Sequence, residues 1–185
     1  MIPFSLIRAA SAVALFVAAT GSSLAAETAV RRYAIPDSGF LELSVPTTWN
    51  EIVRRPPFEK GPPTIVFGAI NAVPFEISVT PEPRNVAGDK RRSRERVQEY
   101  LEGIRPNVVE AEIPLVKIEN ASAKGVYFSA TDKAPRPGDY EFLTHGVVET
   151  GDLTIAFTIL THKGQQFVVN DAITMLGSAK HVLKE

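Results

Sequence analysis

Cysteine is absent from the 185-residue chain, tryptophan occurs once, and there are three histidines. The absence of cysteine excludes disulfide bonds, thiolate zinc sites, iron–sulfur clusters and cysteine nucleophiles. Neither sign of charge is in excess, because 20 Lys and Arg residues stand against 21 Asp and Glu residues. This balance argues against a protein that binds nucleic acid, since that affinity rests on a large basic surplus.

Long hydrophobic runs are missing as well. The most apolar stretch, residues 9–20, has twelve uncharged residues, whereas a transmembrane helix needs about 20. It follows Arg8 and precedes small residues, which is the arrangement of a secretory signal peptide. We therefore predict a signal peptide over residues 1–25, with cleavage after Ala25 or, alternatively, after Ala26. No cysteine is present to accept a lipid anchor, so we expect a soluble periplasmic or secreted protein that does not span the membrane.

The mature part of the chain, residues 26–185, is expected to fold as a single domain, because it contains no repeat and no low-complexity linker. Apolar patterns predict strands over Phe40–Val45, Thr64–Ile70, Pro74–Thr80, Leu115–Glu119 and Lys124–Thr131. Apolar residues at helical spacing predict helices over Asp89–Arg105 and Gln165–Ala179. Proline clusters at residues 56–57, 62–63 and 81–83 predict loops.

The clearest pattern lies between Tyr140 and His162, where two alternating segments flank a turn at Gly151-Asp152. This predicts a hairpin in which Glu141 lies opposite His162. One face of the hairpin is apolar and is predicted to be core: Tyr140, Phe142, Val148, Leu153, Ile155, Phe157 and Ile159. The order of strands and helices predicts an α+β fold, an α-β-α sandwich with a central, mainly antiparallel sheet.

Several segments occur here in the order that they have in one protein family. They are Leu43-Ser44-Val45-Pro46-Thr47-Thr48-Trp49, Phe75-Glu76-Ile77-Ser78-Val79-Thr80, Gly125-Val126-Tyr127-Phe128, and the last hairpin with its C-terminal helix. With these motifs the chain resembles the PsbP-like family over roughly Val30–Val182. This family includes the extrinsic photosystem II subunit, eukaryotic Ran-binding relatives and many secreted bacterial proteins. The resemblance implies an α-β-α sandwich and a non-catalytic binding or assembly role, and it carries no active-site residues.

Motifs of known chemistry are absent: there is no P-loop, dinucleotide-binding glycine motif, nucleophile elbow or zinc-protease motif. The hairpin register separates His145 from His162 by roughly 13 Å, which is too far for two ligands of one metal ion. We therefore predict no catalytic residue, metal or cofactor. The same register predicts that Glu141 and His162 form a cross-strand pair. This pair is either an exposed ion pair or an acid–base pair. Trp49 is expected to be a core or capping residue rather than a ligand platform.

One segment departs from the local pattern, because it places five positive charges within seven residues. These are Lys90, Arg91, Arg92, Arg94 and Arg96. If Asp89 caps the following helix, residues 90–92 occupy its first turn, where the helix dipole favours acidic side chains. Two interpretations stay open. The segment is a solvated face whose arginines pair with nearby glutamates, or it binds an anionic partner outside the cytoplasm.

These observations lead to two functional hypotheses of different class. The first is an exported, soluble, non-catalytic interaction or assembly module of the bacterial envelope, whose partner is a protein or an anionic envelope surface. The second is a periplasmic carrier of a small ligand or lipid, which requires a deep apolar cavity. An enzyme is a third alternative that no motif supports.

Overall fold

The computed structural model describes residues 26–56, 61–70, 72–84 and 92–184. These residues form ten strands: β1 (Thr28–Ala34), β2 (Phe40–Pro46), β3 (Trp49–Arg54), β4 (Thr64–Ala69), β5 (Glu76–Pro83), β6 (Val116–Glu119), β7 (Lys124–Thr131), β8 (Phe142–Thr150), β9 (Leu153–Thr161) and β10 (Lys180–Val182). They also form two α-helices, α1 (Ser93–Ile104) and α2 (Gln166–Gly177). Within these ranges neither helix has the length and apolar character that crossing a membrane requires. The predicted signal peptide lies outside the described residues.

All strand pairs are antiparallel, and the strands form two sheets. The larger sheet has the order β3-β4-β5-β9-β8-β7-β6, and the smaller sheet has the order β1-β2-β10. The inner face of the larger sheet packs against the smaller sheet and α2, whereas α1 packs against β7 and β8 on the outer face. The predicted fold class, an α+β sandwich around a mainly antiparallel sheet, is confirmed.

The main core fills the space between the larger sheet, the smaller sheet and α2. Leu41 and Leu43 of β2 point into it, following the alternation that predicts this strand. Trp49 is 4% exposed and packs against Phe67 and Phe75, with ring centroids 6.3 and 5.2 Å away. The prediction that Trp49 is a core residue is therefore confirmed.

A second, smaller core lies beneath α1. Val97 and Leu101 of the helix cluster with Phe128 and Ala130 of β7 and with Val147 of β8. The apolar stripe predicted for this helix thus faces the sheet. Because α1 lies over β7 and β8, the neighbouring strands β9 and β5 keep partly exposed side chains on the same face.

The β8–β9 hairpin has the predicted register and turn. Phe142 pairs with Thr161, and Gly151 in the turn has a φ of 50°, a conformation that glycine adopts without a steric penalty. Most of the predicted apolar face is fully buried: Val148, Leu153, Ile155, Phe157 and Ile159. The prediction of this face as core is confirmed, since a slip by one residue would have exposed it.

The loop predicted at residues 81–83 is wrong, because this segment is the end of β5. Pro81 and Pro83 both pair with β9. On its other side β5 pairs with β4 only from Glu76 to Val79, so that side has no partner strand beyond Val79. Proline has no backbone N–H to donate, and a strand tolerates it where one side is unpaired.

The sequence pattern does not predict β1, β3 or β10, which are edge strands of the two sheets. In β1 only Tyr33 is buried, so the strand has no apolar alternation that a sequence could show. The predicted loop between residues 56 and 63 does separate β3 from β4, and its residues 57–60 lie outside the described residues.

Candidate functional site

Charged side chains fix the start of α1 to the larger sheet. Ser93, the first residue of the helix, donates a hydrogen bond from its Oγ to the carboxylate of Glu149 on β8. The same carboxylate accepts a hydrogen bond from the guanidinium of Arg84 at 2.8 Å. Arg96 forms an ion pair of 3.2 Å with Glu82 of β5. Contacts to two strands therefore hold this end of the helix in place.

The structure describes three of the five residues of the basic segment, and their contacts differ. Lys90 and Arg91 lie outside the described residues. Arg96 is paired with the sheet through Glu82, as stated above. Arg92 and Arg94 are exposed, and neither forms an ion pair with any residue that the structure describes.

The prediction that residues 90–92 form the first turn of the helix is wrong at Arg92. Helix α1 begins at Ser93, and Arg92 is the N-cap residue, with an extended backbone of φ −69° and ψ 150°. The backbone N–H of Arg92 donates to the carboxylate of Glu95 at 3.1 Å. Glu95 is the third residue of the helix, where a carboxylate satisfies the N-cap amide and interacts favourably with the helix dipole. This local contact sets the start of the helix.

A cleft of about 350 Å³ opens beside α1 on the outer face of the sheet. It is lined by Arg96, Glu99 and Tyr100 of α1 and by His145, Val147 and Ala156 of the hairpin. The ring of Tyr100 stacks on the imidazole of His145, with centroids 3.8 Å apart and planes inclined by 15°. The Nδ1 atom of His145 lies 3.0 Å from the hydroxyl of Thr158 across the hairpin.

The imidazole of His145 is held in its neutral form. Burial, together with the nearby cation of Arg96, lowers the pKa of His145 from 6.5 to about 4. A general base works best when its pKa lies near the operating pH, so this group is poorly matched to proton transfer at neutral pH. Its contacts with Tyr100 and Thr158 instead connect α1 to the two strands of the hairpin.

The acidic partners in this site could not be identified from the sequence. Glu82 and Glu149 lie on separate strands and reach the start of α1 only through the tertiary fold. The sequence shows only helical neighbours, and on that basis the arginines pair with Glu95, Glu99 or Glu102. One feature of the sequence could have indicated Glu149: the predicted hairpin register places it on the same face of the sheet as His145.

Glu141 and His162 contact each other at the end of the hairpin, as the register predicts. His162 Nδ1 lies 3.8 Å from Glu141 Oε2, and this carboxylate also accepts a hydrogen bond from the backbone N–H of Lys163 at 2.7 Å. The Glu141 side chain is 40% exposed, which fits the alternative of an exposed ion pair. Among the described residues, no group of three or more His, Asp or Glu side chains is arranged to hold a metal ion.

No family model and no curated protein matches the chain. Among solved structures, it is similar to a protein from Bacteroides thetaiotaomicron, with a TM-score of 0.49 and 15% identity over 84% of this chain and 48% of the other. The chain therefore spans about half the length of that protein. It is also similar to cyanobacterial PsbP (CyanoP) from Synechocystis, with a TM-score of 0.48 and 16% identity over 88% of this chain and 96% of the other.

Proposed function

We propose that this protein is an exported, non-catalytic interaction module that binds an anionic envelope surface through the start of α1. The observation that carries the proposal is the exposure of Arg92 and Arg94 at a helix end that is itself fixed to the sheet. Two guanidinium groups bind the phosphate groups of envelope lipids well, because the planar fork of arginine matches the geometry of phosphate oxygens.

The position of the two arginines strengthens their combined field. They lie at the amino end of α1, where the helix dipole contributes a further partial positive charge. Lys90 and Arg91, which precede them in the sequence, are two further cations. Because Ser93 and Arg96 hold the backbone against the sheet, a bound surface has to order only side chains, which lowers the entropic cost of binding.

The cleft beside this segment supports a non-catalytic role. Its one imidazole, His145, titrates far below neutral pH and is covered by the ring of Tyr100. The cleft is lined by Arg96 and Glu99 and opens to solvent, whereas a lipid carrier needs a deep apolar cavity. Binding through exposed charge is therefore the function that this part of the molecule supports best.

Export is the first testable part of the proposal. We expect the mature protein to begin at or beside Ala26 and to be recovered from the periplasm without detergent, because the apolar run is too short for a stable anchor. Cell fractionation followed by N-terminal sequencing measures both properties. An exported protein that retains Met1, or one released from membranes by detergent and not by salt, would contradict this expectation.

The second test measures binding to anionic vesicles. We expect the wild-type protein to co-sediment with phosphatidylglycerol vesicles and not with phosphatidylcholine vesicles. The double variant Arg92→Gln/Arg94→Gln should bind about 30-fold more weakly, since each arginine near an anionic surface contributes about 1 kcal/mol. Binding by the wild type should also weaken as salt is raised, because exposed charges are screened beyond about 10 Å at 0.1 M ionic strength.

A matched control tests whether the position of the two cations matters, and not only the net charge of the protein. Lys133→Gln/Arg136→Gln removes two exposed cations from the loop between β7 and β8, so its net charge equals that of the first double variant. This control should bind like the wild type. Equal binding by all three proteins, or equal loss in both double variants, would refute the assignment to α1. Binding of an acidic periplasmic protein in place of vesicles would also overturn the choice of a lipid surface.

A further inference from the structure

A second cavity lies on the inner face of the larger sheet, where the ends of β7, β8 and β9 meet the first turn of α2. Its volume is about 240 Å³. Most of its polar lining comes from six side chains: Glu110, Ser129, Thr131, Thr144, Thr161 and Gln166. The larger sheet separates this cavity from the cleft at α1, because Thr144 and Thr161 point away from the face that carries His145.

The polar lining interrupts an apolar sheet face. Along β9, Ile155, Phe157 and Ile159 point into the main core, and Thr161 occupies the next position on the same face. Thr144 on β8 is likewise buried, with 2% of its surface exposed. Burying a hydroxyl costs free energy unless it is hydrogen-bonded, so a space that served packing alone would favour apolar side chains here.

Most of these polar groups are satisfied within the protein. The hydroxyls of Ser129 and Thr144 lie 2.7 Å apart and share a hydrogen bond. Thr131 donates to the carboxylate of Glu110 from its backbone N–H at 3.0 Å and from its hydroxyl at 2.6 Å. Burial acts to raise the pKa of Glu110, but these two hydrogen bonds and one from its own backbone N–H together outweigh burial and hold the pKa below its ordinary value. Glu110 is therefore an ionised acceptor at the wall of the cavity.

Thr161 is the exception. Thr161 is only 3% exposed, and its hydroxyl makes no hydrogen bond with any residue that the structure describes. Every fully enclosed side-chain nitrogen or oxygen in the same part of the chain does have a partner. The unbonded hydroxyl of Thr161 must therefore open into the cavity that the residue lines. A buried hydroxyl aimed into a polar space indicates that something other than the protein supplies its hydrogen bond.

We infer that this cavity binds a small, neutral, polyhydroxylated molecule of about the size of a monosaccharide. The hydroxyl of Thr161 can both donate and accept, the hydroxyls of Ser129 and Thr144 retain accepting lone pairs beside the hydrogen bond that they share, and the carboxylate of Glu110 is a further acceptor. A donor that lies beside several acceptors suits the hydroxyl groups of a polyol. The ring of Phe142 adds an apolar wall against which the C–H face of a sugar packs.

Other ligand classes fit the cavity less well. The ionised Glu110 repels an anion such as phosphate or a carboxylate. An apolar molecule in the cavity would leave the hydroxyl of Thr161 without a hydrogen bond, which is costly. The volume of about 240 Å³ is below the 300–1,000 Å³ that is typical of pockets for drug-sized ligands, so the occupant is small.

The inference is tested by titrating the ¹⁵N-labelled mature protein with D-glucose and with D-ribose and recording amide chemical shifts. We expect saturable shifts at the amides around Thr144, Thr161 and Gln166. Thr161→Val should weaken binding about tenfold, which is the scale of one lost hydrogen bond, while its unfolding midpoint in urea stays close to that of the wild type. Thr161→Ser keeps the hydroxyl and should retain binding.

Thr154→Val is the matched control, because Thr154 lies on the same strand but on the outer face of the sheet, and its hydroxyl has no partner among the described residues either. It should bind sugars like the wild type. The inference is wrong if neither sugar produces saturable shifts, or if Thr161→Val and Thr154→Val bind alike. Saturable shifts at these amides with acetate or methylamine, and not with the sugars, would overturn the assignment to a polyol. The vesicle test at α1 has no bearing on these outcomes, since the two sites lie on opposite faces.

Discussion

Phe157→Ala is expected to lower the free energy of unfolding by about 3–5 kcal/mol, the range for buried aromatic side chains. Phe157 lies at the centre of the main core and is 1% exposed. Its ring covers Gly146 on the paired strand, where a Cβ atom would come within 2.6 Å of the ring. Truncation therefore removes the ring from the core and also uncovers a residue that has no side chain to fill the space. Urea denaturation followed by fluorescence of the buried Trp49 measures the loss.

Thr158→Ala is the neighbouring control on the opposite face of β9. Thr158 is half-buried, and its hydroxyl contacts His145 at 3.0 Å, so its truncation should cost about 1 kcal/mol through one hydrogen bond. Equal destabilisation by the two substitutions would show that the inner and outer faces of the hairpin are assigned incorrectly.

Acid is expected to destabilise the protein through His145. The folded-state pKa of this residue is about 4, below its ordinary value of 6.5, so protonation favours the unfolded chain. The stability that comes from the neutral imidazole is complete above about pH 6.5 and is lost as the pH falls toward about 4. The total is about 3 kcal/mol, of which about 2 kcal/mol is lost by about pH 5. The groups that face the imidazole are the rings of Tyr100 and Phe128, the hydroxyl of Thr158 and the charged side chains of Arg96 and Glu99.

The variant His145→Gln isolates this effect, because glutamine does not titrate and can still hydrogen-bond to Thr158. Urea melts at about pH 7.5 and about pH 5 should show a stability drop in the wild type that is about 2 kcal/mol larger than in the variant. His162 and His181 are unchanged in the variant, so their titration cancels in the comparison. If the wild type and the variant lose the same stability between the two pH values, His145 is not the group responsible.

The parts of the fold that could be predicted are those in which burial repeats along the sequence. Neighbouring elements cover one or both faces of β2, β4 and the β8–β9 hairpin. The apolar residues of these strands therefore alternate or form continuous runs, and this pattern is visible in the sequence. The edge strands β1 and β3 have no such pattern. β1 buries only Tyr33, and β3 exposes Ile52 to 60%, so neither has a period that a sequence pattern can reveal.

The candidate sites show the same division. The five basic residues before and within α1 are evident in the sequence, but their pairing is not, since Glu82 and Glu149 approach them from other strands. The sequence favours Asp89 as the helix cap, whereas the amide of Arg92 is satisfied by Glu95. The cavity beside Thr161 has no local signature, because its lining comes from β7, β8, β9, α2 and the segment that contains Glu110.

The sequence alone determined the fold class, the register of the last hairpin and the burial of Trp49, because each depends on apolar residues that lie close together in the chain. The tertiary structure decided which charges remain exposed at α1, the low pKa of His145 and the unbonded hydroxyl of Thr161. These properties depend on which atoms surround a group in three dimensions. Strand order and helix placement bring those atoms together from segments that are distant in the sequence. The spacing of residues along the chain does not specify which of these segments come into contact.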